Sequence, residues 1–286
     1  MLIKSALLSA LPEVRHGFST RLGGISKGPY ATFNLARDLG DDDAAVTWNL
    51  RHFKALARFD PDKEVTQLIQ RHGNTVRTIS ANDARHAEDI AEGDALITFD
   101  PNTPVGIRTA DCTPILVACL DRTEHRVIAV AAIHAGWRSA TANIVARTLE
   151  ALEAGGAERG HMRAAVGPTI GPRAFEVGEE VIEAARQSLG GRAPPMYTAA
   201  PASTVASSAA AASSSTAASG STTASERPHL DLPGLVVAQL LLLGFSEHAI
   251  DAIGHDTFSE RALFFSHRRD AGVTGRQLSA IAFGSR

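Results

Sequence analysis

Three short segments of this 286-residue chain carry a metal-binding or nucleophilic side chain out of an apolar run and into a turn. Gln70-Arg71-His72-Gly73 follows residues 65–70, whose composition predicts a strand. Thr109-Ala110-Asp111-Cys112-Thr113-Pro114 lies between the extended runs 105–108 and 114–120. Ile133-His134-Ala135-Gly136-Trp137-Arg138 closes residues 127–133, a fully apolar run of strand length. Donors at strand ends are held by a sheet, and neighbouring glycines let backbone or substrate come close. Two imidazoles and a thiolate are a good donor set for zinc, and three protein donors leave a fourth position for water or substrate. The same side chains also read as a Cys112 thiolate paired with His134 or His72 for nucleophilic catalysis, with Asp111 as the orienting group. The separations, 40 residues from His72 to Cys112 and 22 from Cys112 to His134, match no local zinc motif. The residues alone leave both chemistries open. Cys119, inside an apolar run, is assigned to the core.

The elements that would position these side chains alternate along the chain. Short extended runs are expected at residues 75–79, 95–99 and 163–166, and again at 278–283 near the end. Residues 141–154 place Ile144, Val145, Thr148, Leu149 and Leu152 at helical spacing and stop at Gly155-Gly156. Helices are also expected at 177–189 and 232–243. Mixed strands and helices with many turns argue for an α+β or α/β domain without giving strand order. One segment departs from this pattern: in residues 199–226, 24 of 28 positions are Ala, Ser or Thr, and no charge occurs between Arg192 and Glu226. Such a stretch has little apolar surface to offset the entropy of ordering it, so a mobile surface excursion is expected.

Bulk properties narrow the functional classes. Apolar residues make up 44% and charged residues 21%, and the length is sufficient for a real core. The formal net charge is -3 and no Lys/Arg block occurs, so the counterion-release binding that nucleic acids demand is not expected. Lysine is confined to Lys4, Lys27, Lys54 and Lys63; the remaining basic side chains are arginines, which grip phosphate or carboxylate in a bidentate way. Two cysteines, seven residues apart, fit a reducing compartment better than a disulfide scaffold. The N-terminal apolar stretch soon meets Pro12, Glu13 and Arg15, and no uncharged apolar run reaches the roughly 18–20 residues that span a bilayer. A cytoplasmic protein with no membrane partner is expected.

Taken in order, the motifs resemble a known family. Phe18-Ser19-Thr20-Arg21-Leu22-Gly23-Gly24-Ile25-Ser26 precedes the three segments above. After them come Gly167-Pro168-Thr169-Ile170-Gly171-Pro172, Phe175-Glu176-Val177-Gly178, Phe264-Phe265-Ser266-His267-Arg268-Arg269-Asp270 and Thr274-Gly275-Arg276. This series resembles the YfiH/laccase-domain family, whose members were first labelled polyphenol oxidases and are now regarded as purine nucleoside phosphorylases. The likeness covers nearly the whole chain apart from the Ala/Ser/Thr tract. It implies an α+β fold, a mixed-sheet αβ sandwich of the cytotoxin/YfiH-like type, in one domain over residues 1–286 interrupted at about 193–227.

The resemblance also implies a zinc pocket on His72, Cys112 and His134, phosphorolysis of adenosine, inosine and S-methyl-5′-thioadenosine, and hydrolytic deamination of adenosine. In that setting Arg21, Arg138, Arg268 and Arg269 are candidate phosphate clamps. Asp111 is a candidate for orienting a ligand, and Glu176 for a general base or an arginine's partner. The implied partners are purine nucleosides and inorganic phosphate, for a monomer or small homo-oligomer. Copper is the alternative metal, since Cu(II) binds most N/S sites more tightly than zinc, and a copper-dependent phenol oxidase is the alternative enzyme. A metal-free Cys–His hydrolase of cell-wall precursors and a purine-binding module without turnover are the others. Ser139 stands where a Gly commonly follows the Trp-Arg pair, the segment His255-Asp256-Thr257-Phe258 lacks a frequent Cys, and His267 replaces a frequent Tyr.

Overall fold

The computed structural model describes residues 1–82, 91–124, 126–197 and 227–284. The Ala/Ser/Thr tract at 199–226 lies outside the described residues. In chain order the elements are β1 (Leu2–Ile3), α1 (Ala6–Ser9), β2 (Val14–Ser19), α2 (Asp43–Ala57), β3 (Val76–Thr78), β4 (Ala95–Thr98), β5 (Val105–Thr109) and β6 (Thr113–Leu120). They continue with β7 (Val127–Ala135), α3 (Trp137–Thr141), α4 (Ile144–Ala154), β8 (Met162–Val166), α5 (Glu179–Ser188), α6 (Leu232–Leu242), β9 (Ile250–Ala252) and β10 (Gln277–Phe283).

The strands form two sheets, one ordered β1-β2-β10-β5 and antiparallel throughout, the other ordered β3-β4-β7-β6-β8-β9 with parallel pairs at both edges. Alternation along the central strands assigns each face. Leu116, Ala118, Val130 and Ala132 pack with Phe18, Val105, Ile107, Ile281 and Phe283 between the sheets. Ile115, Val117, Ala129, Ala131 and Ile133 turn the other way, onto α4, α5 and α6. On the far side of the smaller sheet, Leu278, Ala280 and Ala282 meet Phe53 and Ala57 of α2. The layers therefore run helix, sheet, sheet, helix. β6, β7 and β10 are covered on both faces, which is why β6 and β7 read as nearly continuous apolar runs rather than alternating ones, while β10 still carries Gln277 and Ser279.

Three expectations change at the level of elements. The run 65–70 is not a strand: it makes only isolated parallel bridges, Thr66 to Val105 and Ile69 to Glu92. Gln70 takes over the pairing instead, its amide donating to the Arg108 carbonyl and accepting from the Arg108 N–H, each at 2.8 Å. The helix expected over 141–154 begins only at Ile144, as α4, because Asn143 in the left-handed region (φ 64°) separates it from α3, which ends at Thr141. Apolar spacing does not predict α2, although Asp42 caps it by accepting from the N–H groups of Ala44 and Ala45. Its inward stripe of Ala45, Val46, Phe53 and Ala57 is interrupted by buried Asn49, whose amide bonds to Ser26, Asn34 and Ile25. Among the described residues no helix is long and apolar enough to cross a membrane.

Candidate metal centre and its cavity

Four neighbouring strands of the larger sheet, β3, β4, β7 and β6, place their ends at one edge. β3 and β4 run parallel and begin there, β7 runs back and ends there, and β6 begins there again. Each therefore exposes a terminal turn at the same place: His72 before β3, Asp94 before β4, His134 near the end of β7 and Cys112 before β6. Register completes the convergence, with Pro114 opposite His134 and Thr113 opposite Ala135.

His72, Cys112 and His134 each offer a ligand atom, and these atoms lie within 4.8 Å of one another. Cys112 Sγ stands 3.7 Å from His72 Nε2. Tetrahedral donors around an ion with zinc-like bond lengths are about 3.3–3.6 Å apart, so a small inward movement would close the set. Gly136 is part of the geometry. A Cβ there would stand 2.9 Å from Cys112 Sγ and 3.0 Å from the His72 ring, so only glycine lets the three segments meet.

A residue that none of the sequence motifs contains organises this edge. Asp94, 1% exposed, accepts from His134 Nδ1 at 2.8 Å, which leaves Nε2 of that ring as the available donor. The same carboxylate accepts from the backbone N–H groups of Arg71, His72 and Gly73 at 3.3, 2.9 and 2.7 Å. That clasp holds the turn in which His72 adopts φ 57°. Burial opposes charge on Asp94, but the His134 ring and the Gly73 and His72 amides hold its carboxyl below the usual range. Burial likewise opposes the Cys112 thiolate, yet His134 and His72 bring it down to about 6. The His134 imidazole, pressed down by burial, is raised to about 9 by the Cys112 thiolate and by Asp94. To hold a divalent cation the site would keep the Cys112 thiolate and release the Nε2 proton of the His134 imidazolium, while Nδ1–H stays on Asp94. The donor set, its spacing and its supporting carboxylate fit such an ion.

Asp111 occupies a different position from the orienting one. Its backbone is at φ 91°, and its carboxylate accepts from Thr257 Oγ1 and from the Arg268 N–H, both at 2.7 Å. It makes no hydrogen bond to either imidazole among the described residues; it ties the β5–β6 turn to the C-terminal loops. Glu176 is exposed, 3.7 Å from Arg227, and its side chain is not part of the cavity wall. The four arginines separate into two pairs. Arg21 is spent on the Ala31 and Arg261 carbonyls and stacks on Phe265. Arg269 is held by Asp270 and by the carbonyls of Thr257, Phe258 and Phe264. Arg138, stacked 4.3 Å over Trp137, and Arg268, bonded to the carbonyls of Ala174 and Glu176, both line the cavity.

That cavity has a volume of about 540 Å³ and contains all three candidate ligands. Trp137 and Phe175 provide flat walls, Ile69, Ile170 and Leu232 provide apolar ones, and Arg71, Arg108, Arg138, Arg268 and Arg276 provide positive charge against the carboxylates of Asp38 and Asp111. The size and mixed lining suit a small molecule with an aromatic part and an anionic part.

Residues 15–284 match the family model described as multi-copper polyphenol oxidoreductase laccase, and the chain belongs to this laccase/YfiH family. It is 34% identical over 273 residues to a purine nucleoside phosphorylase of Deinococcus radiodurans, covering 96% of this chain and 90% of that one. It is 31% identical over 268 residues to one of Corynebacterium glutamicum, covering 94% of each. Among solved structures, YlmD from Geobacillus stearothermophilus superposes with a TM-score of 0.78 at 27% identity, over 96% of this chain and 93% of that one.

Proposed function

We propose that this chain is a zinc-dependent purine nucleoside phosphorylase, acting on adenosine, inosine and S-methyl-5′-thioadenosine with inorganic phosphate, and that it also deaminates adenosine. The observation that carries the reading is the convergence of His72, Cys112 and His134 on a cavity with aromatic walls and an arginine-rich lining. The relatives named as purine nucleoside phosphorylases support it. His72, Cys112 and His134 would hold a zinc ion, which when bound would supply a Lewis acid to the cavity.

The chain's own residues account for the remaining requirements. Trp137 and Phe175 offer stacking faces to a purine ring, worth roughly 0.5–1.5 kcal/mol beyond area burial for an aromatic pair. Arg138 and Arg268, both exposed and without a carboxylate partner among the described residues, draw the phosphate towards the nucleoside. Phosphorolysis needs that phosphate oriented against the sugar carbon as the purine departs, and holding both reactants is itself a large part of such catalysis. Asp94 fixes the His134 ring and the His72 turn, so the donors are in place before substrate arrives. Ile170 and Leu232 keep part of the wall dry.

A multi-copper oxidase needs several metal centres, and among the described residues one His/Cys/carboxylate group is spaced for an ion. Incubation with adenosine, with and without phosphate, separates the readings. Phosphate-dependent adenine and ribose 1-phosphate, together with phosphate-independent inosine, are the expected products. Oxidation of phenols by protein purified without added copper, with adenosine untouched, contradicts the proposal.

A further inference from the structure

Five arginines line the cavity, and they are not in the same state. Arg71 is clasped by Glu92 at 2.7 and 3.0 Å, and Arg108 by Asp38 at 2.8 Å. Arg138 lies on Trp137, and Arg268 leans on two carbonyls and Phe175. Arg276 alone among them is only half-exposed and yet lacks any carboxylate within ion-pair distance among the described residues. Its Nη1 donates to the Thr274 and Gly275 carbonyls at 2.9 and 3.0 Å, which fixes the fork. Among the described residues its Nε and Nη2 have no acceptor.

We propose that Arg276 seats a phosphate group, through its Nε and Nη2 edge, in the cavity that Cys112 and Arg108 also line. The proposal rests on the phosphorolysis reading of the site and names the residue that anchors the anion. A guanidinium preset by two carbonyls presents a fork that matches two oxygens of a tetrahedral anion, at little further entropic cost. Burial presses on the Arg276 cation; Asp38 and Cys112 oppose it in part, and the like charge of Arg108 adds a smaller push against a smaller pull from Asp111. An anion arriving there would partner the Arg276 guanidinium, whereas Arg108 already has Asp38. Arg138 and Arg268, more exposed, would close on it from outside.

The phosphate could enter as the free ion or as the ester of a nucleotide, and calorimetric titration without turnover distinguishes them. Inorganic phosphate, inosine and adenosine 5′-monophosphate are titrated separately into the metal-loaded wild type, R276Q and R276K, with thermal melts to establish that each variant is folded. The expected result is a tenfold or greater loss of inorganic phosphate affinity in R276Q, a smaller loss in R276K, and inosine affinity within twofold. Loss confined to the monophosphate also supports the seat, with the ester as its source. Phosphate and monophosphate affinities both within twofold of wild type in folded R276Q overturn it. Arg276-dependent phosphate binding without phosphorolysis in the wild type defeats the enzymatic reading alone. Phosphorolysis with an unchanged KM for phosphate in R276Q defeats the Arg276 assignment alone.

Discussion

Asp94 connects two of the three candidate donors through a single buried carboxylate, one oxygen meeting the His134 ring and the His72 amide, the other the Gly73 amide. Every hydrogen atom facing that carboxylate is a donor, so Asp94→Asn must turn an NH₂ towards one of them and lose at least one bond. Metal affinity is expected to fall 10- to 100-fold, the range typical when a ligand's supporting partner is removed. Competition against a chromophoric chelator measures this, with circular dichroism expected to remain unchanged; wild-type affinity in the variant would remove Asp94 from the account. His72, Cys112 and His134 were legible from sequence because residue type and strand-end placement coincide. Asp94 was not: it lies 22 residues from His72 and 40 from His134, and only the pairing of β4 with β7 brings it to them. Asp111 beside Cys112 was the nearer guess, but adjacency along a strand end directs successive side chains to different sides. Arg21 and Arg269 read as phosphate clamps by type, and only the carbonyls around them reveal that their donors are already used.

Between residue and fold, Gln70 shows how one side chain can stand in for a strand. Its amide occupies both backbone groups of Arg108 and so docks the segment carrying His72 onto β5. Gln70→Ala leaves a partly buried N–H and C=O without protein partners, at a cost of about 1–3 kcal/mol. Urea unfolding is expected to show that loss with an unchanged slope; a change below about 0.5 kcal/mol, the size of an ordinary surface substitution, would mean water replaces the amide fully. The strands β4, β6 and β7 were readable because burial on both faces produces nearly unbroken apolar runs, and β5 and β8 as short apolar runs each broken by one arginine, Arg108 and Arg163. Segment 65–70 has the composition of a strand but spends its pairing on a side chain, which no periodicity records. In α2, polar Asn49 interrupts the inward stripe, and the helix escapes a reading based on apolar spacing.

The N-terminal segment, β2 and β9 are joined across the molecule through one buried imidazole. His16, 2% exposed, accepts from the Ser5 N–H at 2.9 Å through Nε2, while Ser5 Oγ donates to Asp251 and Lys4 donates to the His16 carbonyl. Burial, then the nearby Lys4 cation, hold His16 down at about 4, with Asp251 opposing. The unfolded chain takes up the proton near pH 6.5, whereas the folded one resists it to about pH 4, so stability is full above pH 6.5 and is lost as pH falls between those values. The loss should amount to about 3 kcal/mol at its full extent, from 1.36 kcal/mol per unit. Guanidinium unfolding of wild type and His16→Gln across this window tests the assignment. The stability difference between them should fall towards low pH, and a parallel dependence in both proteins would contradict it. At this scale the α+β class and the mixed sheets were legible, whereas the division into two stacked sheets was not, because strand order is a property of long-range pairing.

The central claim is that His72, Cys112 and His134 share one divalent cation that keeps a position open to the cavity. X-ray absorption at the zinc edge of the zinc-loaded protein tests it most directly. The account predicts two imidazole nitrogens at about 2.0–2.1 Å, one sulfur at about 2.3 Å and one further light atom from solvent or substrate. A spectrum without sulfur, or with the fourth place filled by another protein side chain, would contradict it.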